Sequence, residues 1–219
     1  MGRRVARLTL DNLAELPSTC ANCVFWEHPA VRRAQVCDDA AEEKAAWLSE
    51  VLREWGSCGR IVYVDEEPVG HLIWAPPVWV PGADGFATAP VSNDAVLLTT
   101  GYVAPSQRGF GVGRLLIQAM AKDLLTRGGI RAVEAFGDTR ASGGASERDC
   151  VLPTDFLLGV GFKTHRPHPT YPRMRMDLRS ALTWREEFEV ALDRLLGAVH
   201  PSRQPAPARP TQRSPREVR

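Results

Sequence analysis

No apolar run in the 219 residues approaches the ~20 residues that a membrane-crossing helix needs. The start, Met1-Gly-Arg-Arg-Val-Ala-Arg-Leu-Thr-Leu10, also lacks an apolar signal core, because Asp11 and Glu15 follow it. A cytoplasmic protein without a membrane partner is therefore the expectation. Charge of one sign is lacking too: 27 Lys and Arg face 26 Asp and Glu, a net of +1. Arg203, Arg209, Arg213, Arg216 and Arg219 against Glu217 put +4 into residues 200–219, which leaves about −3 for residues 1–199. A body of that charge offers no support for nucleic-acid binding.

Cysteine is sparse and odd in number. Five in a chain of this length do not build a secreted disulfide framework. Cys20-Ala-Asn-Cys23 has the spacing of half a zinc site, but a second pair, or a His pair at short spacing, is missing. Cys37 and Cys58 stand alone, and His28 is close but single. With Val24-Phe25-Trp26 following, these thiols are expected to pack against the core, and no metal is expected.

Apolar residues make up 44% of the chain and charged residues 24%, the proportions of an ordinary globular protein with a substantial core. Alternation marks Arg4–Leu10 as a strand. Ala41, Ala45, Leu48, Leu52 and Trp55 recur at helical spacing over 38–55, with Asp39 and Glu42 as a capping box. Gly59–Asp65 and Val69–Ala75 form a hairpin around Glu66-Glu67-Pro68, and Ala95–Val103 is a buried strand. Between them, Pro76–Asp94 is too long and too rich in Pro, Gly and aromatics to be a simple connection. Val112, Leu115, Leu116, Ala119, Met120 and Leu124 give the next helix one apolar face, and Ile130–Phe136 is a strand. A polar loop (137–150), a short helix (155–160) and one or two strands (163–178) follow. A helix over 181–199, capped by Thr183 and Glu186, completes a domain of residues 1–199. Residues 200–219, with five prolines and five arginines, read as a disordered tail. The fold class is α/β (α+β): a mixed sheet flanked by helices.

The densest signal is Arg108-Gly109-Phe110-Gly111-Val112-Gly113, lying between a strand and a helix. Glycines at alternate positions allow a tight turn and close approach of a ligand to the backbone. The helix that follows directs its unpaired N–H groups and positive dipole end into that turn, which suits a phosphate or pyrophosphate. A dinucleotide fingerprint would need its third glycine one position later, and a Walker loop would need Gly-Lys-Ser/Thr.

The strand, Val103-Ala104-Pro105-Ser106-Gln107, this hexapeptide and the helix together resemble the acetyl-CoA site of the GNAT superfamily of N-acetyltransferases. Arg108, Gly111 and Gly113 meet that family's Arg/Gln-x-x-Gly-x-Gly/Ala pattern. Four strand candidates precede the turn, and Leu157-Leu158-Gly159-Val160-Gly161-Phe162 is similar to the segment closing the family's last conserved helix. The likeness runs from about Val5 to Leu178. It implies a mixed, mostly antiparallel GNAT sheet, acetyl-CoA as co-substrate, and acetyl transfer to a primary amine of a small molecule or a protein. It leaves a homodimer open.

Under this resemblance the amides of Gly109, Phe110, Gly111, Val112 and Gly113 hold the pyrophosphate, with charge from Arg108 and Arg114. The strand edge at Tyr102 and Val103 pairs with pantetheine. Many family members protonate the leaving thiolate with a Tyr four residues before the closing Gly; Leu157, beside Phe156, stands here instead. Cys150, Tyr171 and Tyr102 are the nearest substitutes. Glu134, a carboxylate inside an apolar strand, is the leading candidate base, ahead of Asp138 and Asp155, with an arginine-paired structural role as its alternative. Pro76–Asp94, with Trp79 and Phe86, is expected to wall the acceptor pocket. The rival reading is a CoA-binding regulatory or interaction protein of this fold that has lost turnover.

Overall fold

The computed structural model describes residues 2–140 and 150–179. The helix expected over 181–199, the tail over 200–219 and most of the polar loop over 137–150 lie outside the described residues. The strands are β1 (Arg3–Arg7), β2 (Gly59–Val64), β3 (Glu67–Ala75), β4 (Ala95–Val103), β5 (Ala132–Asp138), β6 (Leu152–Pro153), β7 (Lys163–Arg166) and β8 (Arg173–Asp177). The helices are α1 (Ser18–Ala21), α2 (Ala30–Gln35), α3 (Ala40–Glu54), α4 (Val112–Arg127) and α5 (Thr154–Gly159). One sheet runs in the order β1-β2-β3-β4-β5-β8-β7, with β6 beside β5. All its ladders are antiparallel except β4 with β5 and β5 with β6. This is the mixed, mostly antiparallel α/β sheet that the pattern implied.

Alternation along the strands builds two cores. Val62, Val64, Leu72, Trp74, Val96 and Leu98 face α4 and α5, meeting Leu116, Ile117, Met120, Leu124 and Leu157. Ile61, Tyr63, Ile73, Ala75, Ala95 and Leu97 point the other way, against Trp47, Leu48 and Val51 of α3 and against Trp26. Each fully buried Leu, Ile or Val contributes about 1.5–3 kcal/mol, so these two layers dominate the stability.

Several local expectations are corrected. β1 ends at Arg7, and β5 is shifted two residues onward from the expected 130–136. Asp39 occupies the N-cap of α3 with no side-chain cap bond, so the capping box does not form. Its backbone (φ −108°, ψ 17°) is not the extended conformation that aims a cap oxygen at the first turn. Pro76–Asp94 folds into two 3₁₀ turns, Pro77–Trp79 and Pro81–Gly85, docked on the N-terminal half. The Gly82 amide donates to Trp26 O at 3.0 Å, and Trp47 Nε1 donates to Trp79 O at 2.7 Å.

Candidate active site

Two irregularities make β4 unlike its neighbours. Ile73 of β3 pairs with Thr100 while Trp74 pairs with Leu98, so Thr99 is an extra residue on β4. This β-bulge shifts the phase of the strand. Thr100 and Tyr102 thereby share the face of Ile73 and His71, while Gly101 and Val103 turn toward α4. Thr99 itself is anchored by its hydroxyl, which donates to Ile73 O at 3.0 Å. The second irregularity is divergence: β4 pairs with β5 only over Ala95–Leu97 against Ala132–Glu134. Beyond that point the two parallel strands separate into a wedge. β6 enters it, pairing with β5 at Gly137 and Asp138. Leu152 lies so close to Gly101 that a Cβ there would come within 3.0 Å of Leu152 Cδ2.

At the open end of β4 stands the glycine turn. Pro105–Gln107 forms a 3₁₀ turn, Arg108 is extended, and Gly109 and Gly111 take φ of +81° and +82°. Gly111 is the N-cap of α4, and no side chain caps that end. Nothing lies within 4 Å of where a Cβ would sit at either glycine. The turn is thus an open concavity of amides at a helix N-terminus, the arrangement that accommodates an anion. Arg108 Nε donates to Val103 O at 3.1 Å, holding the turn to the end of β4. Arg3 reaches in from β1, its Nη1 donating to Phe110 O at 3.0 Å. Sequence reasoning missed Arg3, because its partner is 107 residues away and nothing local marks it. Gly113 is packed against Phe156 of α5, which ties the helix that follows β6 to the same turn.

The three candidate catalytic side chains do not meet one another. Glu134 is fully buried. Its Oε2 accepts from Arg173 Nη1 at 2.9 Å and from the Ser92 amide at 3.1 Å, and its Oε1 accepts from Arg175 Nη1 at 3.1 Å. Both oxygens are engaged, which is the arginine-paired arrangement and a poor one for a base. Asp94 holds the far side of Arg175 at 2.9 and 3.0 Å, and that contact draws its carboxyl below the ordinary range. Asp138, the weaker candidate, is lowered by Arg140 in the same way. Tyr171 accepts from Arg140 through its hydroxyl and packs edge-on against Phe86. Phe86 in turn stacks on Phe136 at 4.2 Å and on Trp26 at 5.3 Å. Cys150 lies 2.9 Å from Cys23, sulfur to sulfur, and its carbonyl accepts from Trp26 Nε1 at 2.9 Å. Leu157, where a tyrosine would be expected, is buried in the α4-side core.

On the other side of the bulge, Tyr102 stacks on His71 (5.9 Å) beside a small recess lined by Glu15, Leu16, Pro17 and Gly70. His71 is 2% exposed, and its Nε2 has no hydrogen-bond partner. Burial, with a smaller push from the Lys44 ammonium, lowers its pKa to about 3. The folded state therefore holds His71 neutral where the unfolded chain, near 6.5, takes a proton. Its contribution is present above pH 6.5 and is lost as pH falls toward 3. From pH 7 to pH 5 wild type should lose about 2 kcal/mol of unfolding free energy that His71→Gln does not lose. Urea titrations of both proteins at the two pH values test this, and identical pH slopes would refute it.

Among the described residues, no group of three His, Cys, Asp or Glu side chains is placed to hold a metal ion. Also among the described residues, no helix is long and apolar enough to cross a membrane. His28, single in sequence, is paired with Glu43 at 2.8 Å.

An uncapped helix N-terminus behind a positive-φ glycine turn, opening onto two diverging parallel strands in the middle of the sheet, is an arrangement suited to a phosphorylated ligand. The model of the acetyltransferase (GNAT) family matches residues 21–147, more than half of the chain, and the chain belongs to that family. Solved structures agree in fold. The PaiA N-acetyltransferase from Thermoplasma acidophilum, in complex with coenzyme A, superposes with a TM-score of 0.52 at 14% identity, covering 81% of this chain and 99% of that one. The aminoglycoside acetyltransferase AAC(6')-Ib, in complex with coenzyme A and kanamycin, gives 0.52 at 18% identity over 83% and 98%. An N-acetyltransferase from Staphylococcus aureus Mu50 gives 0.50 at 17% identity over 81% and 99%. No curated protein sequence matched the chain.

Proposed function

We propose that this protein transfers the acetyl group of acetyl-CoA to a primary amine of a small molecule or a protein. The observation that carries the reading is the open turn at Gly109–Gly113, set at the N-terminus of α4 where β4 leaves β5. Its amides would hold the pyrophosphate, and Arg108, Arg114 and Arg3 would supply positive charge. The β4 edge at Tyr102 and Val103 would pair with the amides of pantetheine. Bound there, acetyl-CoA supplies an activated acyl group beside the bulged strand. Main-chain N–H groups near Val103 are suited to stabilise negative charge on the acyl oxygen.

The acceptor side is the face of Tyr102, His71 and the aromatic cluster of Trp26, Phe86, Phe136 and Tyr171. Pro76–Asp94 walls it through Phe86. An alkylamine with a pKa near ~10.4 must lose a proton before it attacks. Tyr171, beside that wall, would serve at the other end of the reaction, as the acid for the departing CoA thiolate. Glu134 belongs to the scaffold that fixes β5 to β8. A cytoplasmic location fits the same reading.

The rival, CoA binding without turnover, draws on one observation: Leu157 in place of the tyrosine acid. Thiol release from acetyl-CoA across a panel of small amines and lysine peptides separates the two. Amine-dependent release is expected. Stabilisation by CoA with no release from any acceptor would establish the rival, and no stabilisation by CoA at all would remove both.

A further inference from the structure

Cys23 and Cys150 are 127 residues apart in sequence, and their sulfurs are 2.9 Å apart, about 0.9 Å beyond the ~2.05 Å of a formed disulfide. Both are free thiols and both are partly exposed, so a small oxidant can reach them. Their surroundings differ. The Cys150 contact, together with the Phe25 amide and the Lys44 ammonium, brings the Cys23 pKa down to about 7 against its burial. Cys20, the other half of the C-x-x-C pair, is pushed up by burial, and Cys150 is pushed up by Cys23 and by burial. Of the two, Cys23 is the sulfur that ionises first.

The position of the pair is as informative as its distance. Cys23 follows α1, in the segment whose Trp26 is sealed into the α3-side core. Cys150 leads directly into β6, whose Leu152 sits against Gly101 inside the β4–β5 wedge. Four residues after Leu152, Phe156 lies on Gly113 of the glycine turn.

We propose that Cys23 and Cys150 form a reversible disulfide that ties the segment after α1 to the entry of β6. With a low-molecular-weight disulfide as oxidant, the Cys23 thiolate attacks one of its sulfurs, forming a mixed disulfide and releasing one thiolate. Cys150 then loses its proton and attacks Cys23 Sγ, expelling the second thiolate. Two protein thiols are oxidised, one small disulfide is reduced to two thiols, and the proton from Cys150 ends on the departing sulfur.

The test uses reduced full-length protein incubated with glutathione disulfide and digested without reduction. A Cys23–Cys150 linked peptide is expected, its mass two hydrogen atoms below the sum of the two reduced peptides. Cys20→Ala should behave identically, while Cys150→Ser should stop at a glutathione adduct on Cys23. A Cys20–Cys23 link, a persistent adduct on Cys23 or Cys150 of the wild type, or no reaction at that pair would overturn the cross-link; an adduct on the exposed Cys37 is mapped separately by the same digest.

Discussion

Glu134→Gln should unfold at far lower denaturant than the wild type, with a loss of about 3–5 kcal/mol, the usual consequence of removing one partner from a buried ion pair. Glutamine keeps the size of the side chain and removes the charge that Arg173 and Arg175 share. Arg173 is 4% exposed, and its Nε already has no acceptor. Glutamine keeps one accepting oxygen and turns the other into an NH2 donor, which must face either Arg175 or the Arg173 and Ser92 donors, and at Arg173 the carbonyl of Pro90 is the other acceptor. Arg175 keeps Asp94 and Asp177 and suffers less. For a chain of this size the melting temperature should fall by about 10 °C. Asp94→Asn, at a half-exposed partner in contact with water, should cost no more than about 1 kcal/mol. The same pair of measurements decides between scaffold and base. A base would lose turnover at unchanged stability, and that result for Glu134→Gln would restore the catalytic assignment.

Gly111→Val should lower acetyl-CoA affinity by roughly ten- to a hundredfold while leaving the sheet folded. Gly111 has open space around its missing Cβ, so steric collision is not the cause. The cause is its φ of +82°, which a β-branched residue adopts only at a cost of about 1–3 kcal/mol. The strain relaxes most easily by straightening the turn, and that rotates away the amides from Gly109 to Gly113. Asparagine tolerates the left-handed region, so Gly111→Asn should keep most of the affinity. Calorimetric titration of wild type, Asn and Val variants should therefore give a graded series. Equal affinities for all three would show that the turn does not position the cofactor.

Much of the architecture was legible because long elements carry periodicity. The α4 stripe from Val112 to Leu124 and the run from Ala95 to Val103 each span enough residues to declare their type. Ser18–Ala21 and Ala30–Gln35 do not; at one to two turns, a helical period never accumulates. The glycine turn was legible as chemistry because it is contiguous. Arg3, the Cys23–Cys150 contact and the Arg173–Glu134–Arg175 cluster were not, since each joins residues from distant parts of the chain. Glu134 was conspicuous for the right reason, a charge in an apolar strand. Its partners sit on β8, and only the β5–β8 register, with Glu134 opposite Arg175, says which way the charge is satisfied. The bulge had a local mark in Thr99-Thr100-Gly101, two hydroxyls and a glycine breaking an apolar run, but alternation alone does not reveal an extra residue.

Thr99 makes the strand a counting device. Upstream of it, odd and even positions of β4 are assigned to the two cores by simple alternation; downstream the assignment is reversed. The side chain at Thr99 is replaceable, since its role is one hydroxyl bond to Ile73, but its place in the count is not. Losing or gaining one residue between Leu98 and Gly101 would exchange the faces of Tyr102 and Val103. The loop that follows would then approach α4 from the wrong side. Variation in this stretch is therefore constrained in length far more than in composition.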